Sequence, residues 1–116
     1  MKKVKSVGKL KIKEKDLVKS ALDYLNIRKI FCWRHNTGAI LSEYKGKTRF
    51  MRFGQVGSPD IFALINGDLF GLECKGTGGK QSPDQKNYQK RFEKAGGIYL
   101  LIYSLEDLEM GLRFVL

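Results

Sequence analysis

From Glu14 to about Arg28 the apolar residues Leu17, Val18, Ala21, Leu22 and Leu25 fall three and four apart, with Lys15, Asp16, Lys19 and Asp23 between them. That spacing predicts an amphipathic helix with one buried face. The pattern then shortens. Ile30 to Trp33 reads as a strand, and His35-Asn36-Thr37-Gly38 as the loop after it. Ala39 to Tyr44 and Thr48 to Phe53, joined at Lys45-Gly46-Lys47, predict a hairpin. Residues 54–59 form a loop by their glycines and proline. Asp60 to Ile65 and Leu69 to Lys75 read as a second hairpin, turned at Asn66-Gly67-Asp68 because Asn-Gly readily takes positive φ.

The second half of the chain has clearer punctuation. A glycine-rich loop, Gly76 to Lys80, precedes a helix that opens with Ser82 as N-cap and Pro83 in the first helical position. It closes at Ala95-Gly96-Gly97, where glycine suits a left-handed cap. Ile98 to Tyr103 is a continuous apolar strand of the kind covered on both faces. Leu105 to Met110 reads as a short helix and Leu112 to Leu116 as a final strand. Phe31 and Trp33 are read as core residues rather than as base-stacking platforms. The order predicts an α/β fold with a mixed sheet flanked by helices.

Two short segments carry the chemistry. Glu73 and Lys75 are two apart in one strand and so share a face, while Cys74 points the other way. Asp60 opens the partner strand of the same hairpin and returns beside them. Carboxylates converging at a sheet end suit a hard divalent cation, and a neighbouring ammonium can position water or stabilise charge on a phosphate. A Glu-x-Lys pair also arises by chance, or as a buried salt bridge. That bridge leaves unexplained why Asp60 abuts the apolar run Ile61 to Ile65, where charge is expensive to desolvate. Glu14 is either a helix-start acid favoured by the macrodipole or a third carboxylate for the site. Gln85 is either the far half of a capping box with Ser82 or a side chain aimed at the sheet, and the two readings can coexist.

Composition adds one thing to this picture. The formal net charge is +10 in 116 residues, with seven lysines and one glutamate among the first 15. Such a domain attracts polyanions, nucleic acid first. Residues 1–13 are therefore set apart as a basic arm from a single domain over 14–116. The arm is either a solubilising tail or a set of phosphate contacts, and charge alone does not separate these. Cys32 and Cys74 are the only cysteines, expected as buried free thiols of a reducing compartment, a disulfide between them being the lesser reading. No apolar run suggests a membrane span or a secretory signal, so a cytoplasmic protein is expected.

The ordered set Gly57-Ser58-Pro59-Asp60-Ile61, Leu72-Glu73-Cys74-Lys75 and Ser82-Pro83-Asp84-Gln85, followed by a helix and Gly96-Gly97, resembles the VRR-NUC branch of the PD-(D/E)XK nucleases. The likeness runs from about Glu14 to Tyr103. It implies a restriction-endonuclease-like αβββαβ core and phosphodiester hydrolysis with Mg²⁺ or Mn²⁺. By the same likeness Asp60 and Glu73 are side-chain metal ligands, the Cys74 backbone carbonyl a further one, and Lys75 the catalytic lysine. Glu14 matches the acid of the family's first helix, and Gln85 its helix glutamine. Stand-alone viral and bacterial members are similar to Holliday-junction resolvases and tend to be homodimers, so a homodimer is implied. Branched DNA, in replication, repair or recombination, is then the implied partner, in the host cytoplasm if the chain is viral. Cys74 departs from the β-branched residue usual there, which a core-facing side chain tolerates. The extra domains that recognise substrate in larger relatives are not in this sequence, which leaves junction preference open. Candidate DNA contacts are His35, Asn36, Ser58 and Lys80, and on the first hairpin Lys45, Lys47, Arg49 and Arg52, with Arg34 beside them. A solvated charged face predicts the same hairpin pattern, and a catalytically silent nucleic-acid-binding module of the same fold is the alternative function.

Overall fold

The computed structural model describes residues 11–35, 38–53 and 55–116, apart from the side chains of 38–44 and 49–53. The order is α1 (Glu14–Ile27), β1 (Phe31–Arg34), β2 (Gly38–Tyr44), β3 (Lys47–Phe53), β4 (Ile61–Ile65), β5 (Asp68–Cys74), α2 (Pro83–Lys94), β6 (Ile98–Ile102) and α3 (Leu105–Leu112). Four strands form a mixed sheet in the order β1-β4-β5-β6. β4 runs antiparallel to both β1 and β5, and β6 is parallel to β5. The parallel pair needs a crossover, which α2 supplies. β2 and β3 make a separate two-stranded antiparallel ribbon.

Strand alternation decides what each face of the sheet buries. Ile61, Ala63, Phe70, Leu72, Cys74 and Ile102 face α1 and α3, where Leu17, Val18, Ala21, Leu25, Leu108 and Leu112 complete the larger core. The opposite face carries Phe62 and Tyr99 against Tyr88 and Phe92 of α2. Glu73 belongs to this second face, so its carboxyl lies under α2 rather than in the aliphatic core.

Both hairpin turns use two residues at positive φ: Lys45 (51°) with Gly46 (73°), and Asn66 (52°) with Gly67 (85°). Two successive positive-φ residues match the right-handed twist of the flanking strands. α2 begins as expected, with Pro83 in its first turn behind the Ser82 N-cap. Its end is a Schellman turn: Gly96 has φ 100°, its N–H bonds to Glu93 O, and the Gly97 N–H bonds to Phe92 O.

Two expectations are corrected. No strand follows α3: the helix runs to Leu112, and the Val115 and Leu116 amides fold back onto its carbonyl. Leu105, Leu108 and Leu112 keep helical spacing, and burial of Leu108 and Leu112 on the larger core outweighs the apolar tail beyond them. Phe31 and Trp33 are not core residues; they are 69% and 41% exposed. β1 is the edge strand: Cys32 packs against the larger core, and on the other face Trp33 reaches only the rim of the second cluster, at Phe62.

Candidate metal centre

The site forms where β4 begins and β5 ends. Ile61 pairs with Leu72, which sets Asp60 level with Glu73 one step further on. The Asp60 carboxylate is held from two sides: the Cys74 amide donates to Oδ2 at 2.8 Å, and Arg34 Nη1 lies 3.1 Å from Oδ1. Arg34 also donates to the Asp60 carbonyl, as does the His35 amide. Arg34, read from the sequence as part of the hairpin's basic ribbon, is thus the resident cation of Asp60. Only the β1–β4 pairing brings it there.

Glu73 is 1% exposed. Its Oε1 accepts from Gln85 Nε2 at 2.9 Å and lies 3.7 Å from Lys75 Nζ. Its Oε2 is buried with no partner among the described residues. Burial first, then the negative charge of Asp60, push the Glu73 carboxyl up to about 8, with Lys75 pulling the other way. A buried carboxylate with a bare oxygen is costly unless a further cation or donor reaches it.

Gln85 serves both of its expected roles. Its Oε1 accepts from the Ser82 amide and its own amide bonds to Ser82 Oγ, which completes the capping box. The amide nitrogen of the same side chain donates to Glu73. The helix cap therefore also fixes the carboxylate's orientation.

Glu14 comes from the first turn of α1 and is exposed. One carboxylate oxygen each from Glu14, Asp60 and Glu73 lie within 4.8 Å of one another, a spacing that fits a single hard cation. What carries Glu14 there is a contact that sequence reading missed. The Ile12 amide donates to Thr77 Oγ1 at 2.8 Å, and the Thr77 amide returns a bond to Ile12 O at 2.9 Å. This clamp ties the chain ahead of α1 to the loop after β5. Gly76 is needed beneath it, since a Cβ there would stand 2.9 Å from Ile12 O and 3.1 Å from Glu14 N. A threonine beside a glycine-rich loop was the available signal, but a partner 65 residues away gives none.

The remaining sequence candidates scatter. His35 packs its ring edge-on to Phe62 at 5.0 Å, next to Asp60 in the chain pairing. Ser58, expected at the DNA surface, is instead buried, and its hydroxyl has no partner among the described residues. The cause is Gly57, whose positive φ of 81° folds this loop onto the first turn of α2. Lys80, Lys45 and Lys47 are exposed. Asn36 and the side chains of Arg49 and Arg52 lie outside the described residues, as do residues 1–10 of the basic arm. Cys74 is fully buried on the α1 face, as alternation requires, and burial raises its thiol pKa. Cys32, expected to be buried, is only half-buried and donates to Asn26 Oδ1; both cysteines are free thiols. Among the described residues no helix is long and apolar enough to cross a membrane. No protein-family model matches the chain, and no curated protein matches its sequence.

Proposed function

We propose that this chain is a divalent-metal-dependent nuclease of the PD-(D/E)XK kind that hydrolyses phosphodiester bonds of DNA. The observation that carries the reading is the convergence of Glu14, Asp60 and Glu73 from three separate elements onto one spot, with the Lys75 ammonium alongside. The surroundings of Glu73 add to it: the carboxyl is buried against the like-charged Asp60, a crowding that a cation between them would relieve. Asp60, Glu73 and Glu14 would hold Mg²⁺ or Mn²⁺, with the Cys74 carbonyl as a further ligand by family resemblance. When bound, such an ion supplies Lewis acidity and lowers the pKa of water.

The chain's own groups do the rest. Lys75 stands where its ammonium can orient an attacking water and stabilise charge on the phosphate oxygens. Gln85 keeps the Glu73 carboxylate turned toward Asp60, and the Cys74 amide keeps Asp60 turned toward Glu73. Family resemblance extends the proposal to branched DNA and to a homodimer as the working form. The Arg34–Asp60 ion pair favours the second reading, a silent DNA-binding module, since it already neutralises one carboxylate.

The deciding experiment is a cleavage panel with Mg²⁺ or Mn²⁺ on a four-way junction, flap, fork, duplex and single strand. The nuclease reading expects cleavage that disappears in Glu73→Ala and Asp60→Asn while DNA binding persists. Cleavage by folded Glu73→Ala would sink it, and wild-type binding without cleavage would establish the silent module.

A further inference from the structure

The exposed aromatic pair on the edge strand lies on the same sheet face as the carboxylates. Trp33 pairs with Phe62, and Phe62 with Gly71. The next row on that face is His35, Asp60 and Glu73. Trp33 is therefore one pleat repeat along the strands and two strands across from Glu73, about 12 Å by standard sheet spacing. Its indole stacks at a tilt on Phe62, with centroids 5.6 Å apart, and Phe31 meets it edge-on at 6.0 Å. Phe62 in turn touches Phe92 of α2, so the platform is backed by packed rings. Its outer side carries no cover among the described residues, and Leu64, the cross-strand partner of Phe31, is exposed with it.

The chemistry around this patch selects its occupant. Between Asp23 and Glu43 the sequence has no acidic residue; Lys29 precedes the aromatic strand, Arg28 lies over the Tyr24 ring, and Arg34 is paired with Asp60. Exposed aromatic faces beside Lys29, on a chain of net charge +10, match what single-stranded nucleic acid needs: stacking for bases and positive charge for phosphates. Bases inside a duplex do not offer a free face.

We infer that Trp33, supported by Phe31, is a stacking platform for an unpaired nucleobase of the DNA strand whose phosphate lies at the carboxylates. This rests on the nuclease reading and narrows its substrate to DNA with unpaired bases beside the cut, such as a flap or fork. The platform also explains why two large apolar rings stay exposed on an edge strand, a position where they otherwise invite aggregation.

Trp33 is the only tryptophan, so its fluorescence reports the platform directly. The full chain is titrated in chelator with a thymidine 12-mer, an abasic strand carrying the same phosphates, and a blunt duplex. Saturable quenching by the thymidine strand is expected, with weak quenching by the other two. Trp33→Ala should weaken binding of the labelled 12-mer by tenfold or more in anisotropy, and Trp33→Phe should restore most of it, in line with the usual worth of one base stack. Equal quenching by the abasic strand overturns the inference, as does unchanged affinity in Trp33→Ala. A fluorescence shift on concentrating the protein alone also overturns it, since a second copy would then cover the face. Because no divalent ion is present, quenching without later cleavage sinks only the nuclease reading. Cleavage of duplex with no quenching sinks only the platform.

Discussion

Glu73 shows how burial sets the terms for the whole site. In the unfolded chain its carboxyl titrates near 4.5; in the fold it is pushed up to about 8, by desolvation first and Asp60 second. Between those values the native state holds the Glu73 proton and the unfolded state does not, so this group's contribution to metal-free stability is fully present below pH 4.5 and is lost as pH rises toward 8. Glu73→Gln removes that titration while keeping an oxygen for Gln85. Urea melts in chelator are expected to show wild type losing a few kcal/mol relative to the variant between pH 5 and 8.5. Parallel pH profiles for the two would refute the assignment. Alternation and a two-residue hairpin are local rules, which is why Asp60, Glu73 and Lys75 were legible in the sequence. Arg34 was not, because its role depends on which strand β1 joins. Exposure of Trp33 was equally hidden, since it depends on how far α2 reaches across the sheet.

Elements are positioned here by a few close approaches, and two of them can be tested. Gly57 and Gly67 have nearly the same φ, 81° and 85°, but different surroundings. A Cβ on Gly57 would lie 2.3 Å from Asp84 O, whereas a Cβ on Gly67 meets nothing within 4 Å. Gly67→Ala should cost about 1–2 kcal/mol for backbone conformation alone. Gly57→Ala should cost clearly more, because the loop leading into Asp60 must lift off α2. Denaturant midpoints for the two variants give the difference, and equal losses would mean the loop gives way freely. The second test is Thr77→Val, which deletes one of the two bonds to Ile12 at constant shape. About 1 kcal/mol of stability should go. The rise in melting temperature on adding Mn²⁺ should shrink as well, since Glu14 is then held at the cluster by the Thr77 amide bond alone; an unchanged rise would mean that the Thr77 hydroxyl does not help position Glu14. The helices and the two tight turns followed from capping residues and Asn-Gly chemistry. The false strand after α3 followed from a short apolar run, whose period five residues are too few to settle.

The whole molecule sets an acidic site, with Glu73 buried and Glu14 exposed, in a strongly basic chain; under the proposed function that charge would gather DNA without base contacts. Each phosphate neutralised by Lys or Arg releases a counterion, so the logarithm of duplex affinity falls with the logarithm of salt at about −0.9 per contact. Four lysines stand among residues 1–10: Lys2, Lys3, Lys5 and Lys9. If they touch phosphate, replacing all four by Gln in the full chain should flatten the salt slope by about 2 to 4. That is the expected outcome, measured by anisotropy of a labelled duplex between 50 and 200 mM salt in chelator. An unchanged slope, with the variant merely less soluble, would assign the lysines to solubility. The substitution should leave Trp33 quenching by a thymidine strand saturable, because stacking does not depend on counterions. It should also leave the cleavage rate at saturating DNA unchanged, because none of the four lysines is among Glu14, Asp60, Glu73 and Lys75. Loss of affinity with retention of maximal rate would separate capture of the polyanion by the chain's charge from the chemistry at the end of β5.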